Sequence, residues 1–238
     1  GSSGPIFPAL AELQLSVHVG PLRALACCQA LRELSLEYTT LRDADWAALA
    51  ALHQLSGLGF DHCSYDEEGE EDAVAPQVLS TLTALRYLKI RDSDIPAALT
   101  QLPALHSLHI DICDMRGEDV GWPLPPGPWL QRLKDLTLQG DMGSIEAALR
   151  QATKLTSLGL DGCPWLRFGR DELPLLLALP LRDFSIDKRV EWDEEMKYAP
   201  RPLWDEDSLW VVEGMRYVLG VRAARGEPVS CNIFTQEK

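Results

Sequence analysis

Apolar residues recur along most of this chain in one short pattern. Leu-x-x-Leu-x-Leu, or a close variant, occurs eight times: Leu10/Leu13/Leu15, Leu31/Leu34/Leu36, Leu55/Leu58/Phe60, Leu85/Leu88/Ile90, Leu105/Leu108/Ile110, Leu133/Leu136/Leu138, Leu155/Leu158/Leu160 and Leu181/Phe184/Ile186. Successive starts are 21, 24, 30, 20, 28, 22 and 26 residues apart. The last two apolar positions of each motif alternate with polar ones, which predicts a short strand with one buried face. One such strand cannot bury that face alone, so neighbouring repeats must stack. Of the 40 leucines, 37 lie between Leu10 and Leu181, which ends the array near residue 190. Three segments follow: 1–7, a tail or cloning scar; 8–190, the repeats; and 191–238, a C-terminal cap.

Between the strands the pattern changes to a helical period. Trp46, Leu49 and Leu52 share one stripe, with Asp43 or Asp45 as the cap. Further short helices are predicted over Ala97–Leu102, Ala147–Ala152 and Leu173–Leu179. Two repeats carry insertions, Tyr65–Asp72 and Arg116–Trp129. After a charged, proline-bearing stretch, a helix is predicted from Ser208 to Arg225, ended by Gly226, and then a strand over Val229–Phe234. Trp204, Trp210, Val211, Met215 and Val218 are the expected apolar cover over the last repeat.

On the strength of the eight motifs, residues 8–190 resemble the leucine-rich repeat superfamily. The resemblance implies an α/β solenoid (a horseshoe) with a parallel concave β-sheet and convex helices. The family often places Asn or Cys three residues after the last motif position. Here that slot holds His18, Thr39, Cys63, Ser93, Cys113, Asp141, Cys163 and Arg189. The irregular spacing and tolerance of Cys resemble intracellular plant, algal and F-box-associated arrays.

Charge narrows the partner. Lys and Arg number 22 against 36 Asp and Glu, a formal net charge of −14. That disfavours nucleic acid and anionic membranes, both polyanions. No apolar run approaches the roughly 20 residues of a membrane-spanning helix. Six cysteines are present. Cys63, Cys113 and Cys163 share one slot in alternate repeats, about 10 Å apart and so beyond bridging distance. Reduced thiols and an intracellular, cytoplasmic location are expected.

The column directly after the last motif residue reads Ser16, Glu37, Asp61, Arg91, Asp111, Gln139, Asp161 and Asp187. Adjacent strands lie about 4.8 Å apart, so this acidic ladder either attracts a basic segment of a partner or is simply solvated. Tyr87, Lys89, Arg91, His106 and His109 form a second, mixed patch, an aromatic beside Arg being a common interface centre; ordinary surface polarity is the other reading. His106, His109 and Cys113 do not make a metal site, because residues three apart on a strand face opposite ways. The acidic stretch from Tyr65 lacks calcium-loop spacing and reads as a solvated loop. Pro123-x-x-Pro126 matches a minimal polyproline ligand, but Trp122 and Trp129 are expected to pack that insertion onto the array. No catalytic motif is present.

The sequence therefore predicts a non-catalytic protein-interaction module, monomeric alone and without cofactor or metal, that binds a protein partner bearing a basic segment on its concave face. The expected site residues are Glu37, Asp61, Tyr87, Lys89, Arg91, His109, Asp111, Asp161 and Asp187. Two alternatives remain: the substrate-recognition part of an F-box-type ubiquitin ligase adaptor, and a structural subunit of a large assembly.

Overall fold

A computed structural model describes residues 9–16, 22–65, 78, 80–93, 102–112, 124–140, 145–161, 172–187 and 206–234. All eight motifs form strands. The chain divides into two compact units, one of residues 1–110 with 127–129 and the other of 111–126 with 130–238.

The first unit holds β1 (Glu12–Ser16), β2 (Glu33–Glu37), β4 (Gly57–Asp61) and β6 (Tyr87–Arg91), paired in parallel with matching motif positions in register. Leu13 meets Leu34, Leu34 meets Leu58, and Leu58 meets Leu88. A repeated backbone device sets this register. The amides of Arg32 and Glu33 both donate to Ala11 O, those of Ser56 and Gly57 to Arg32 O, and those of Arg86 and Tyr87 to Ser56 O. Leu34, Leu36, Leu58, Phe60, Leu88 and Ile90 are at most 2% exposed. Each such side chain contributes on the order of 1.5–3 kcal/mol by leaving water.

Helix α1 (Asp43–Ala50) covers this core. Trp46 and Leu49 are fully buried and Leu52 nearly so, as the stripe predicts, and Trp46 packs on Phe60 with ring centroids 5.8 Å apart. The cap differs from expectation. Arg42 is the N-cap residue, and Asp45 lies in the first turn, where its Oδ2 accepts the Arg42 amide at 3.1 Å. Its Oδ1 accepts the Leu22 amide at 2.7 Å from a short 3-10 helix (Leu22–Cys27). A carboxylate wanted by two amides belongs inside the turn, so the cap position falls to the residue before Asp43. A two-residue strand pair, β3 (Thr40–Leu41) with β5 (Ser64–Tyr65), follows the main strands.

β7 (Ser107–Ile112) carries the chain into the second unit. There β8 (Asp135–Gly140), β9 (Ser157–Asp161), β10 (Asp183–Asp187) and β11 (Ser230–Phe234) pair in parallel. Helices α2 (Glu146–Gln151) and α3 (Glu172–Ala178) follow β8 and β9 within a residue or so of their predicted bounds. Helix α4 (Glu206–Ala224) ends as predicted at Gly226, at φ 79°, with the Glu227 amide reaching back to Arg222 O. It packs on α3 and β11 through buried Met215 and Leu219, and Arg222 donates to Leu181 O at 2.6 Å. Val218 is half-buried. The predicted helix over Ala97–Leu102 except its last residue, the acidic insertion from Asp66, Cys113, Trp122, Cys163 and Trp204 lie outside the described residues, as do the side chains of Trp210 and Val211. Trp129 is 2% exposed, so the described end of the proline insertion is packed as expected.

Candidate functional site

Alternation along each of these strands turns two apolar residues inward and three residues outward. On the first unit the outward rows are Glu12, Gln14 and Ser16 on β1, then Glu33, Ser35 and Glu37 on β2. Gly57, Gly59 and Asp61 follow on β4, and Tyr87, Lys89 and Arg91 on β6. The face is therefore acidic on β2 and cationic and aromatic on β6. Between them lies a row with only one side chain, Asp61. Glu33 and Tyr87 flank Gly57 and cover it: the glycine is buried, and a Cβ placed there would sit 3.3 Å from Glu33 Cγ and 3.7 Å from Tyr87 Cδ1. Tyr87 is 42% exposed. Partial burial raises its hydroxyl pKa, and the Glu33 charge adds to the effect.

The acidic column is less bare than its sequence suggests. Gln14 Nε2 donates to Glu37 Oε1 at 2.5 Å, and Ser16 Oγ to Oε2 at 2.6 Å. These bonds, Ser16's first and Gln14's second, hold the Glu37 carboxyl below its ordinary range, and the Lys89 charge acts in the same direction. Asp61 faces Arg91 at 3.5 Å and His62 at 3.5 Å, and His62 Nδ1 also lies 3.2 Å from Asp92. Lys89 and His109 are half-buried at outward positions. Asp111 departs from expectation. At 4% exposure it is buried on β7 and not a rung of a solvent-facing ladder. In the second unit Asp161 is half-buried and pairs in register with Asp187 on one side and Gln139 on the other. His106 precedes β7, and its ring contacts Ala104 O.

Sequence reasoning missed Glu33, Tyr38, His62 and Asp92. Tyr38, His62 and Asp92 each follow the outer column by one residue, and all three are left-handed, at φ 50°, 50° and 43°. Gly140, the last residue of β8, fills the same slot, at φ 88°. The glycine there was the available signal. Past this corner the family's Asn slot is served by small donors. Thr39 Oγ1 reaches Glu37 O at 3.0 Å, Ser93 Oγ reaches Arg91 O at 2.8 Å, and Cys63 Sγ reaches Leu36 O at 3.3 Å. Burial raises the Cys63 thiol pKa, which keeps it a donor. Cys27, Cys28, Cys63 and Cys231 are free thiols. Among the described residues no group of three or more His, Cys, Asp or Glu is placed to hold a metal, and no helix is long and apolar enough to cross a membrane.

Comparison with solved structures decides the architecture. An internalin of Listeria monocytogenes superposes with a TM-score of 0.53 at 19% identity, over 76% of this chain and 49% of that one. The chain has the leucine-rich repeat fold. The repeat protein spans about half the length of that internalin. An internalin C2 from the same organism gives a TM-score of 0.46 at 17% identity, over 77% of this chain and 76% of that one. No protein-family model and no curated protein matches the chain.

Proposed function

We propose that this leucine-rich repeat protein is a non-catalytic binding module that holds a partner protein on the outward face of its strands. The carrying observation is the face of β2, β4 and β6. There an exposed Tyr87, with Lys89 and Arg91, stands across two glycines from Glu33 and Glu37 on a hydrogen-bonded parallel ladder. Side chains fixed on strands lose little freedom on binding, and an aromatic beside Arg suits the centre of an interface. The chain's charge favours a partner with a basic segment, whose approach it would speed. Glu37, Asp61, Tyr87, Lys89, Arg91, His109, Asp161 and Asp187 remain its site residues, and Asp111 is withdrawn because it is buried. The four free thiols support a reducing, intracellular compartment. The adaptor and assembly-subunit readings would engage the same face.

The test is quantitative capture from native lysate. Wild type is compared with Lys89→Glu/Arg91→Glu and with Asp161→Lys, at low and high salt. The reading expects specific proteins retained by wild type and lost from at least one variant. Equal retention by all three baits, each shown to be folded, would overturn it.

A further inference from the structure

β1 is the first strand of its sheet, and among the described residues nothing pairs with its outer edge. The core behind it is correspondingly open. Leu10, Leu13 and Leu15 are half-buried, whereas their counterparts Leu31, Leu34 and Leu36 on the next repeat are at most 2% exposed. The usual edge protection is thin: Glu12–Ser16 holds no proline and a single charge, Glu12. Backbone groups along a strand point alternately to its two sides. Ala11 O accepts the Arg32 and Glu33 amides of β2, so Leu13 and Leu15 turn their backbone groups the same way. The N–H and C=O of Glu12, Gln14 and Ser16 therefore point away from the sheet, with no partner among the described residues.

That row is its own complement. A two-fold axis through Gln14, normal to the sheet, lays a second β1 antiparallel to the first. Glu12 then faces Ser16 of the second copy, Leu13 faces Leu15, and Gln14 faces itself. Each facing pair of outward residues exchanges two N–H···O bonds, so every free group of the edge is used. A register shifted by two residues leaves one end residue beyond the partner strand. The half-buried leucines of the two copies meet on the core side. The two Glu12 carboxylates end about 13 Å apart along the pair, beyond the screening length of about 8 Å at physiological salt. We propose that two copies of this chain associate through β1 in this antiparallel register, in place of the monomer expected from the sequence. The proposal is independent of the binding-module reading, since it uses the edge of the sheet and not its outward face.

Sedimentation velocity of the full chain over a dilution series tests it. Wild type is expected to pass from monomer to dimer as concentration rises. Two chains of net charge −14 repel one another, so pairing should tighten with salt, opposite to capture of a basic partner. Gln14→Pro removes the central outward N–H on an edge that tolerates proline. It is expected to weaken pairing about tenfold or more through the lost central bonds. Gln14→Ala loses the same side-chain bond to Glu37 but keeps the N–H, and should pair as wild type does. Ser16→Lys sets a cation opposite Glu12 at both ends and should tighten pairing severalfold, a gain that misfolding cannot produce. Amide exchange at Glu12, Gln14 and Ser16 should slow as the dimer forms. The proposal is overturned if wild type stays monomeric at every concentration and salt, if folded Gln14→Pro pairs as wild type does, or if Ser16→Lys fails to tighten the dimer.

Discussion

Asp45 accepts the backbone N–H of Leu22 at 2.7 Å across 23 residues of sequence, from a site only 2% exposed. Its other oxygen closes the first turn of α1 on the Arg42 amide. One carboxylate thus ties the short helix after β1 to the helix after β2. Asp45→Ala removes a cap interaction worth about 1 kcal/mol and strands a buried amide at about 1–3 kcal/mol. A loss of about 2–4 kcal/mol is expected, read as a melting temperature lower by roughly 5–12 °C for a chain of this size. Asp45→Asn keeps one acceptor and should lose about half as much. Equal melting of wild type and Asp45→Ala would show that the tie contributes nothing.

The left-handed corner makes opposite predictions at two positions of one slot. At Gly140 a Cβ would fall 1.9 Å from Ile112 O, on a backbone already at φ 88°. Gly140→Ala is expected to cost more than about 3 kcal/mol, because main chain must move as well as twist. Tyr38 adopts φ 50° with a full side chain, at a cost of about 1–2 kcal/mol. Its edge-on contact with His62, centroids 4.8 Å apart, returns about 0.5–1.5 kcal/mol. Tyr38→Gly should therefore melt within a few degrees of wild type. Urea titration of both variants checks the contrast.

Thiol reactivity should follow burial. Cys63 is 6% exposed, its pKa raised by desolvation and its Sγ directed at Leu36 O, whereas Cys27 is exposed. Cys231 is half-buried, and burial raises its pKa too. Only thiolate reacts. Iodoacetamide near pH 7.5, followed by peptide mass mapping, should label Cys27 first, Cys231 more slowly and Cys63 only on unfolding. Early labelling of Cys63 would contradict its place in the carbonyl-bonding slot.

Glu37 gives a small acid-side pH dependence of known sign. Its folded carboxyl pKa lies below the ordinary value because Ser16 and Gln14 donate to the ionised form. A depressed carboxylate contributes stability above its unfolded pKa, and that contribution disappears as pH falls through the folded one. Glu37→Gln should flatten the stability profile on the acid side of about pH 4.5 and leave its shape at pH 7–9 unchanged. The change should be slight, since the group is solvent-exposed and screened. An NMR titration of Glu37 that shows no downward shift would remove the prediction.

What the sequence determined was the part governed by local periodicity. Two leucines alternating with polar residues can form only a half-buried strand, and eight such strands at 20–30-residue intervals must stack, so strand positions, inward residues and the closing Gly226 were readable directly. The stripe Trp46, Leu49 and Leu52 was readable for the same reason. Tertiary structure decided everything that depends on the neighbouring repeat. Asp111 and Asp161 occupy identical motif positions, yet one is buried and the other half-exposed, because burial depends on what the neighbouring chain covers. Glu37 and Asp61 look like rungs of an acidic ladder but are engaged by Gln14, Ser16, Arg91 and His62, partners from other rows or from the left-handed corner. That Glu33 and Tyr87 close over Gly57 followed only from the register that sets them on either side of it. A motif fixes which way a side chain points; insertions of variable length and the pairing between repeats fix what it meets.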